Sequence, residues 1–335
     1  MPTPAQATQL NRRRMLGVGA AVGLAGAAAL TVGSGSAAAA APAATGAQAA
    51  GRPAAHCHRR VPTDNISIQL YTLRDLLAKD LDGTLAGLAK IGFKKVENAG
   101  YQGLTAKQFR AALDRHGLRS TSGHNASITA PFDASAFAQV LHDARVVGQS
   151  YIDQSVVGVT GFTADGVQYL QTKAEWQQLC EALNRAGQAA HRAGLKFGLH
   201  NHFWEFLPLK DTPLVGSDIL IAELDPRYVH FEVDIFWAHY GHHDPAQLVT
   251  FLQNRLPQFH VKDMRLLNGE PAPSSLLQTF TWTDPGKGII DFARVFAAKT
   301  ASPTVTEYII ERDDAGAAAL TTAKVGFDFL KNIRF

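Results

Sequence analysis

The 335-residue chain lacks the features that mark several common designs. Its only cysteines are Cys57 and Cys180, too few for a disulfide framework, although one bridge is permitted if the protein is exported. No Gly-x-Gly-x-x-Gly follows the first strand pattern, and there is no Walker loop and no Gly-x-Ser-x-Gly elbow. Nucleotide binding and serine hydrolysis are therefore unsupported. Charge of one sign is also missing, with 32 basic against 29 acidic residues. Three of the basic residues, Arg12, Arg13 and Arg14, sit in an N-terminal stretch that holds no acid, so the rest of the chain is close to neutral. A nucleic-acid partner, which needs a basic face, is not expected. Beyond residue 55 no apolar run is long enough to span a bilayer.

What is present begins with that N-terminal stretch. Asn11-Arg12-Arg13-Arg14-Met15-Leu16 leads into Ala, Gly, Val and Leu to residue 32, then Ala/Gly/Ser/Pro-rich sequence to about residue 55. A basic start, a weakly hydrophobic middle and small residues for cleavage describe an export signal, here of the twin-arginine kind. Residues 1–55 are read as signal and flexible segment, and residues 56–335 as one domain that is extracellular or in the cell envelope, with no stable membrane span once the signal is removed. Self-association into a homo-oligomer is left open.

From residue 65 onward, short apolar strands alternate with amphipathic helices. Strands are expected at 66–71, 93–96, 118–122, 151–155, 195–199, 229–235, 258–261 and 306–310. Helices are expected at 76–91, 105–116, 134–147, 173–193, 244–256, 291–298 and 315–332. This alternation with short connectors implies an α/β fold, a parallel (β/α)8 TIM barrel. Gly286-Lys287-Gly288 reads as a tight turn, or as a small anion cradle.

Chemistry in such folds gathers at the carboxyl ends of the strands. Strand five runs into His200-Asn201-His202-Phe203-Trp204-Glu205. In strand six, His230, Glu232 and Asp234 alternate with apolar residues, although strands covered on both faces are normally apolar throughout. Strand seven carries His260 and Lys262, and strand eight ends at Glu311. Glu205, Asp234, His260 and Glu311 are thus delivered to one rim. Three converging carboxylates repel one another unless a cation intervenes. One imidazole plus oxygen ligands suits Mn²⁺ or Mg²⁺, with Co²⁺ or Zn²⁺ as further options. The competing reading is an ion-pair network with Lys262 and Arg312.

Taken in order, Gln69-Leu70-Tyr71, Val96-Glu97-Asn98, His124, His200-Asn201-His202 through Glu205, Phe231-Glu232-Val233-Asp234 with Trp237, His260-Val261-Lys262-Asp263 and Ile310-Glu311-Arg312-Asp313 resemble the sugar phosphate isomerase/epimerase family of xylose isomerase-like TIM barrels. The resemblance implies a single divalent metal held by Glu205, Asp234, His260 and Glu311. It also implies substrate contacts from Tyr71, His124 and Lys262, to which the motif residues Gln69, Glu97, Asn201 and Trp237 are added.

The resemblance further implies isomerisation or epimerisation through a metal-stabilised enediolate, with Glu205 and Glu311 as the acid/base pair and Lys262 assisting. An exported protein meets few sugar phosphates, so a non-phosphorylated sugar, keto-sugar or cyclitol is the expected partner. The alternative is a lyase that eliminates water from a 3-keto-glycoside or an inosose, using His200 and His202. A third reading is a carbohydrate-binding barrel without catalysis.

Overall fold

The computed structural model describes residues 59–163, 166–266, 280–300 and 305–335. The stretch read as an export signal, Cys57 and most of the loop before Pro285 lie outside the described residues.

The barrel strands are β1 (Ile66–Ile68), β2 (Lys95–Asn98), β3 (Arg119–Gly123), β4 (Tyr151–Gln154), β5 (Lys196–His200), β6 (Val229–Asp234), β7 (Gln258–Val261) and β8 (Glu307–Ile310). Six of them form one sheet in the order β1-β8-β7-β6-β5-β4, and β2 pairs with β3. All of these pairings are parallel. The Gln69–Glu97 bridge joins β1 to β2. The amide of Ser150, just before β4, donates to the Thr121 carbonyl of β3 at 2.8 Å. The strand order therefore closes in sequence, as a (β/α)8 barrel requires.

On β1, β5, β6 and β7 one parity is apolar and packs outward, as with Ile66 and Ile68, Phe197 and Leu199, Phe231 and Val233, and Phe259 and Val261, all buried. The other parity is buried too, yet polar: Ser67, Gln69, Glu97, Asp153, Glu232, Gln258, His260 and Glu307. Barrel interiors are ordinarily filled by branched aliphatic side chains. Here a column of titratable groups fills the axis, and local sequence makes room for it. A Cβ on Gly198 of β5 would stand 2.1 Å from His230 Nε2 and 2.2 Å from Asp153 Oδ1. Only a glycine lets those two side chains meet across the strand.

The helices begin where side chains can take up their free amides. Thr105 with Gln108 and Thr172 with Glu175 form capping boxes for Ala106–Arg115 and Lys173–Arg192. Asp133 caps Ala134–Val147. Each such cap is worth ~1 kcal/mol.

Several expected boundaries move for local reasons. The helix expected at 76–91 is two pieces, Arg74–Leu77 and Leu81–Ile91, because Asp80 turns out of the helix to accept from the Gly83 amide at 2.9 Å. The first strand ends at Ile68, after which Gln69 accepts from Tyr71 N at 3.0 Å and caps a 3-10 turn, Leu70–Leu73. Elements that the sequence pattern did not reveal include a two-stranded pairing (Val159–Thr163 with Gly166–Tyr169), an antiparallel pair (Asp263–Leu266 with Phe280–Thr283), and the helices Gly216–Glu223 and Ile235–Tyr240. Ile235–Tyr240 lacks a periodic signal because Ile235, Phe236, Trp237 and Ala238 are all buried.

Candidate metal centre

His200 is the last residue of β5 and Asp234 the last of β6. His260 is the third residue of β7, and Glu311 follows the last residue of β8. One ligand atom from each of these four buried residues lies within 4.8 Å of the others. His260 Nδ1 is 2.7 Å from Glu311 Oε2, and His200 Nε2 is 3.6 Å from Asp234 Oδ2. Asp234 is doubly anchored: its Oδ1 accepts from Trp237 N at 2.9 Å, and its own amide donates to Asn201 Oδ1 at 3.0 Å. That leaves Oδ2, which is buried and takes no well-formed hydrogen bond among the described residues.

Three of the four residues expected to hold a metal therefore converge. The fourth does not. Glu205 lies in a short 3-10 turn, Trp204–Phe206, with Oε2 folded back to accept from the His202 amide at 3.0 Å. It is absent from the group, and His200, expected as a catalytic imidazole, stands in its place. The strand parity that places Glu232 and Asp234 inward puts Gly198 and His200 inward on β5, whereas Glu205 comes after the chain has left the strand. That signal was available in the sequence.

Two imidazoles and two carboxylates, all buried and with one carboxylate oxygen that takes no well-formed hydrogen bond among the described residues, suit a divalent cation. Without one, the charge is met by Lys262. Its ammonium lies 2.9 Å from Glu311 Oε2, 3.2 Å from Asp234 Oδ2 and 3.5 Å from Asp313 Oδ1. The ion-pair reading is therefore partly realised, through Lys262 alone. Arg312 instead pairs with Asp284 and Asp314 at 2.8 and 2.7 Å.

Beneath the quartet lies a second layer. Glu232 Oε2 is 2.7 Å from His124 Nε2, 3.2 Å from His200 Nδ1 and 3.2 Å from His260 Nε2. Glu97 Oε1 is 2.8 Å from His260 Nε2 and accepts from Gln69 Nε2 at 2.7 Å, while Ser122 Oγ donates to Glu97 Oε2. Gln69, Glu97 and His124, expected to touch substrate, are thus engaged with the floor of the centre. Glu232 carried no assigned role in the sequence reading.

The other expected substrate residues divide. Asn201 spends both ends of its amide on Asp234, its Nδ2 donating to the Asp234 carbonyl at 3.2 Å, which makes it a clamp between β5 and β6. Tyr71 lies under the Arg74 guanidinium, 4.3 Å from ring centroid to Cζ. Trp237 has Lys262 Nζ 5.4 Å from its ring centroid. His202 stacks on Trp204 with centroids 4.2 Å apart and 5.3 Å from Trp237, and its Nδ1 is buried with no hydrogen bond among the described residues.

Burial separates the protonation states of these groups. Burial, with the charge of His260 nearby, holds His200 well below the usual imidazole value, and burial with Lys262 does the same for His202. Burial works against charge on His260 and His124 as well, yet Glu232 and Glu97 raise the first well above its usual value and bring the second up to about 9. Burial also pushes Glu205 up to about 8, so it holds a proton at neutral pH. Glu311 goes the other way: Lys262 and His260 outweigh its burial and keep it ionised.

The Gly286-Lys287-Gly288 turn already holds an anion, and that anion belongs to the chain. Asp263 Oδ2 accepts from the amides of Gly286 and Gly288 at 3.0 and 2.8 Å, and Oδ1 from Met264 and Ile290 at 2.9 and 3.3 Å. A Cβ on Gly288 would meet Asp263 Oδ1 at 2.1 Å.

A parallel (β/α)8 barrel with a buried imidazole–carboxylate quartet at the carboxyl ends of its strands defines a class of barrel built around a cation-binding rim. Residues 85–333 match the xylose isomerase-like TIM barrel family, and the chain belongs to it. Among curated proteins it is similar to inosose dehydratase of Salmonella typhimurium (strain LT2), 32% identical over 170 residues, covering 48% of this chain and 54% of that enzyme. The match thus spans about half the length of that relative. Inosose dehydratase of Geobacillus thermodenitrificans is 26% identical over 250 residues, covering 70% of this chain and 83% of its own. Among solved structures, a sugar phosphate isomerase/epimerase from Parabacteroides distasonis superposes with a TM-score of 0.62 at 20% identity, covering 84% of this chain and 98% of that one. IolI protein with a bound zinc atom gives 0.56 at 14%, covering 81% and 99%. At these identities the structural likenesses show the fold alone.

Proposed function

We propose that the chain is a divalent-metal-dependent lyase that removes water from a polyhydroxylated ring ketone of the inosose class, rather than the isomerase or epimerase that the family label suggests. The observation that carries this reading is the position of Glu205. Epimerisation between Glu205 and Glu311 needs both carboxylates at the metal, and Glu205 is turned onto the His202 amide, outside the quartet. The inosose dehydratase relatives support the same direction.

His200, Asp234, His260 and Glu311 would hold the ion. When bound, it would draw electron density from the substrate carbonyl and adjacent hydroxyl and so acidify the neighbouring C–H. His202, held neutral by burial and by Lys262, takes that proton. The electron pair of the broken C–H bond forms the new double bond as the β C–O bond breaks. Glu205, which holds a proton at neutral pH, gives it to the departing hydroxyl, and water leaves. Lys262 opposes the negative charge that develops on the substrate oxygens.

The test is incubation with an inosose and with 3-keto-glycosides in D₂O, with and without Mn²⁺ or Co²⁺. Loss of one water, dependent on metal, is the expected result. Deuterium entering at carbon with no loss of water would replace the lyase by an isomerase. No exchange with any compound would favour the binding-only barrel. Export on a twin-arginine signal is part of the same proposal, and replacing Arg12 and Arg13 by Lys should retain the precursor in the cytoplasm.

A further inference from the structure

The two imidazoles of the quartet share an arrangement that the quartet itself does not explain. Each turns one ring nitrogen toward the rim carboxylates and the other toward a buried carboxylate beneath them. His200 presents Nε2 to Asp234 and Nδ1 to Glu232 Oε2, while His260 presents Nδ1 to Glu311 and Nε2 to Glu97 Oε1 at 2.8 Å, with Glu232 Oε2 farther off at 3.2 Å. The rings are inverted with respect to one another. His124 Nε2 is the third imidazole nitrogen at Glu232 Oε2, 2.7 Å away. Its ring stacks on His260 with centroids 5.2 Å apart and tilts against His200 at 4.8 Å.

We infer that Glu232 is a positioning residue of the metal centre: its buried Oε2 takes the inner N–H of His200 and so fixes that imidazole with its lone pair facing the rim, while Glu97 holds His260 from beneath. An imidazole can give a lone pair to a metal through only one nitrogen while the other carries a proton, and whichever nitrogen is hydrogen-bonded to an acceptor keeps it. Without Glu232, His200 is free to turn its proton toward Asp234, and His260 is held only by Glu97 at 2.8 Å. Glu232 sits at 0% exposure two residues before Asp234 on β6, so the same strand delivers a ligand and the buttress of another. The inference rests on the metal reading of the quartet but concerns a residue that does not itself face the rim carboxylates.

The test uses the full chain, titrated with Co²⁺ and followed by calorimetry and by the visible bands of the bound ion, for wild type, Asp234→Ala, Glu232→Gln and Glu232→Asp. Circular dichroism checks that each variant folds. The expected result is one Co²⁺ bound by wild type and none by Asp234→Ala. Glu232→Gln should bind about 10–100-fold more weakly with shifted bands, and Glu232→Asp should recover part of the loss. Unchanged affinity and spectrum in Glu232→Gln would overturn the inference and leave the metal reading standing. If wild type takes up no Co²⁺, the metal reading fails and the inference falls with it.

Discussion

Lys262 places its ammonium 2.9 Å from Glu311 Oε2 and 3.2 Å from Asp234 Oδ2, two of the oxygens that would hold the cation. A divalent ion would have to share those oxygens with the lysine. Replacing Lys262 by Met should leave Asp234, Glu311 and Asp313 facing one another without an ammonium. Thermal scans should show the metal-free variant less stable than wild type, and its melting temperature rising more on addition of Mn²⁺. Turnover should fall by about 10²-fold, because the charge that opposes the developing oxyanion is gone. An equal metal-induced shift in both proteins would argue against that sharing.

Exchange of Glu205 for His200 in the quartet gives a direct contrast. His200→Ala, Asp234→Ala and His260→Ala should each purify with metal content reduced to background while the barrel still folds. Glu205→Gln should keep its metal and lose turnover. Elemental analysis of the four variants distinguishes this from the sequence-based expectation, under which Glu205→Gln would be metal-depleted and His200→Ala would not.

His202 stacks on Trp204 and contributes a ring nitrogen that no other described group uses. Substitution by Phe keeps the stack and removes the base. We expect metal affinity to be unchanged and kcat to fall by about 10²–10⁴-fold. A fall in metal affinity equal to that of His200→Ala would mean that His202 is a ligand instead.

Glu307 lies at the start of β8, away from the rim, and burial pushes it up to about 8. Between its ordinary value near 4.5 and that raised value, the folded protein holds a proton that the unfolded chain has released. Stability contributed by this group is thus complete below the ordinary value and lost as pH climbs toward 8. Glu307→Gln, which cannot ionise, should melt a few degrees higher than wild type at pH 8 and gain nothing at pH 4.5. An equal effect at both pH values would point to packing rather than ionisation.

Much of this was legible in the residue order. Alternation of short apolar strands with capped helices specified the barrel, and the polar parity of β6 and β7 specified Asp234 and His260 as inward. Sequence reasoning failed where the chain leaves a strand. Glu205 looked equivalent to Glu311 as a carboxylate just past a strand, but a 3-10 turn returns it to the backbone of His202. Turn geometry at such a point depends on neighbours contributed by other strands, which no local pattern encodes. Glu232 was seen as inward but given no role for a related reason. Its importance comes from three histidines on β5, β7 and the residue after β3, and only closure of the barrel brings them to one oxygen.

Asp263 carries a consequence for what the barrel can accept. The loops after the seventh and eighth strands are where barrels of this architecture frequently bind the phosphate monoester of a substrate, through backbone amides. In this chain the Gly286 and Gly288 amides are already taken by a tethered carboxylate, held in place from the residue two past the end of β7. A phosphorylated ligand would have to evict an anion that cannot diffuse away, at an effective concentration no free metabolite matches. Those two amides are committed to the chain's own carboxylate.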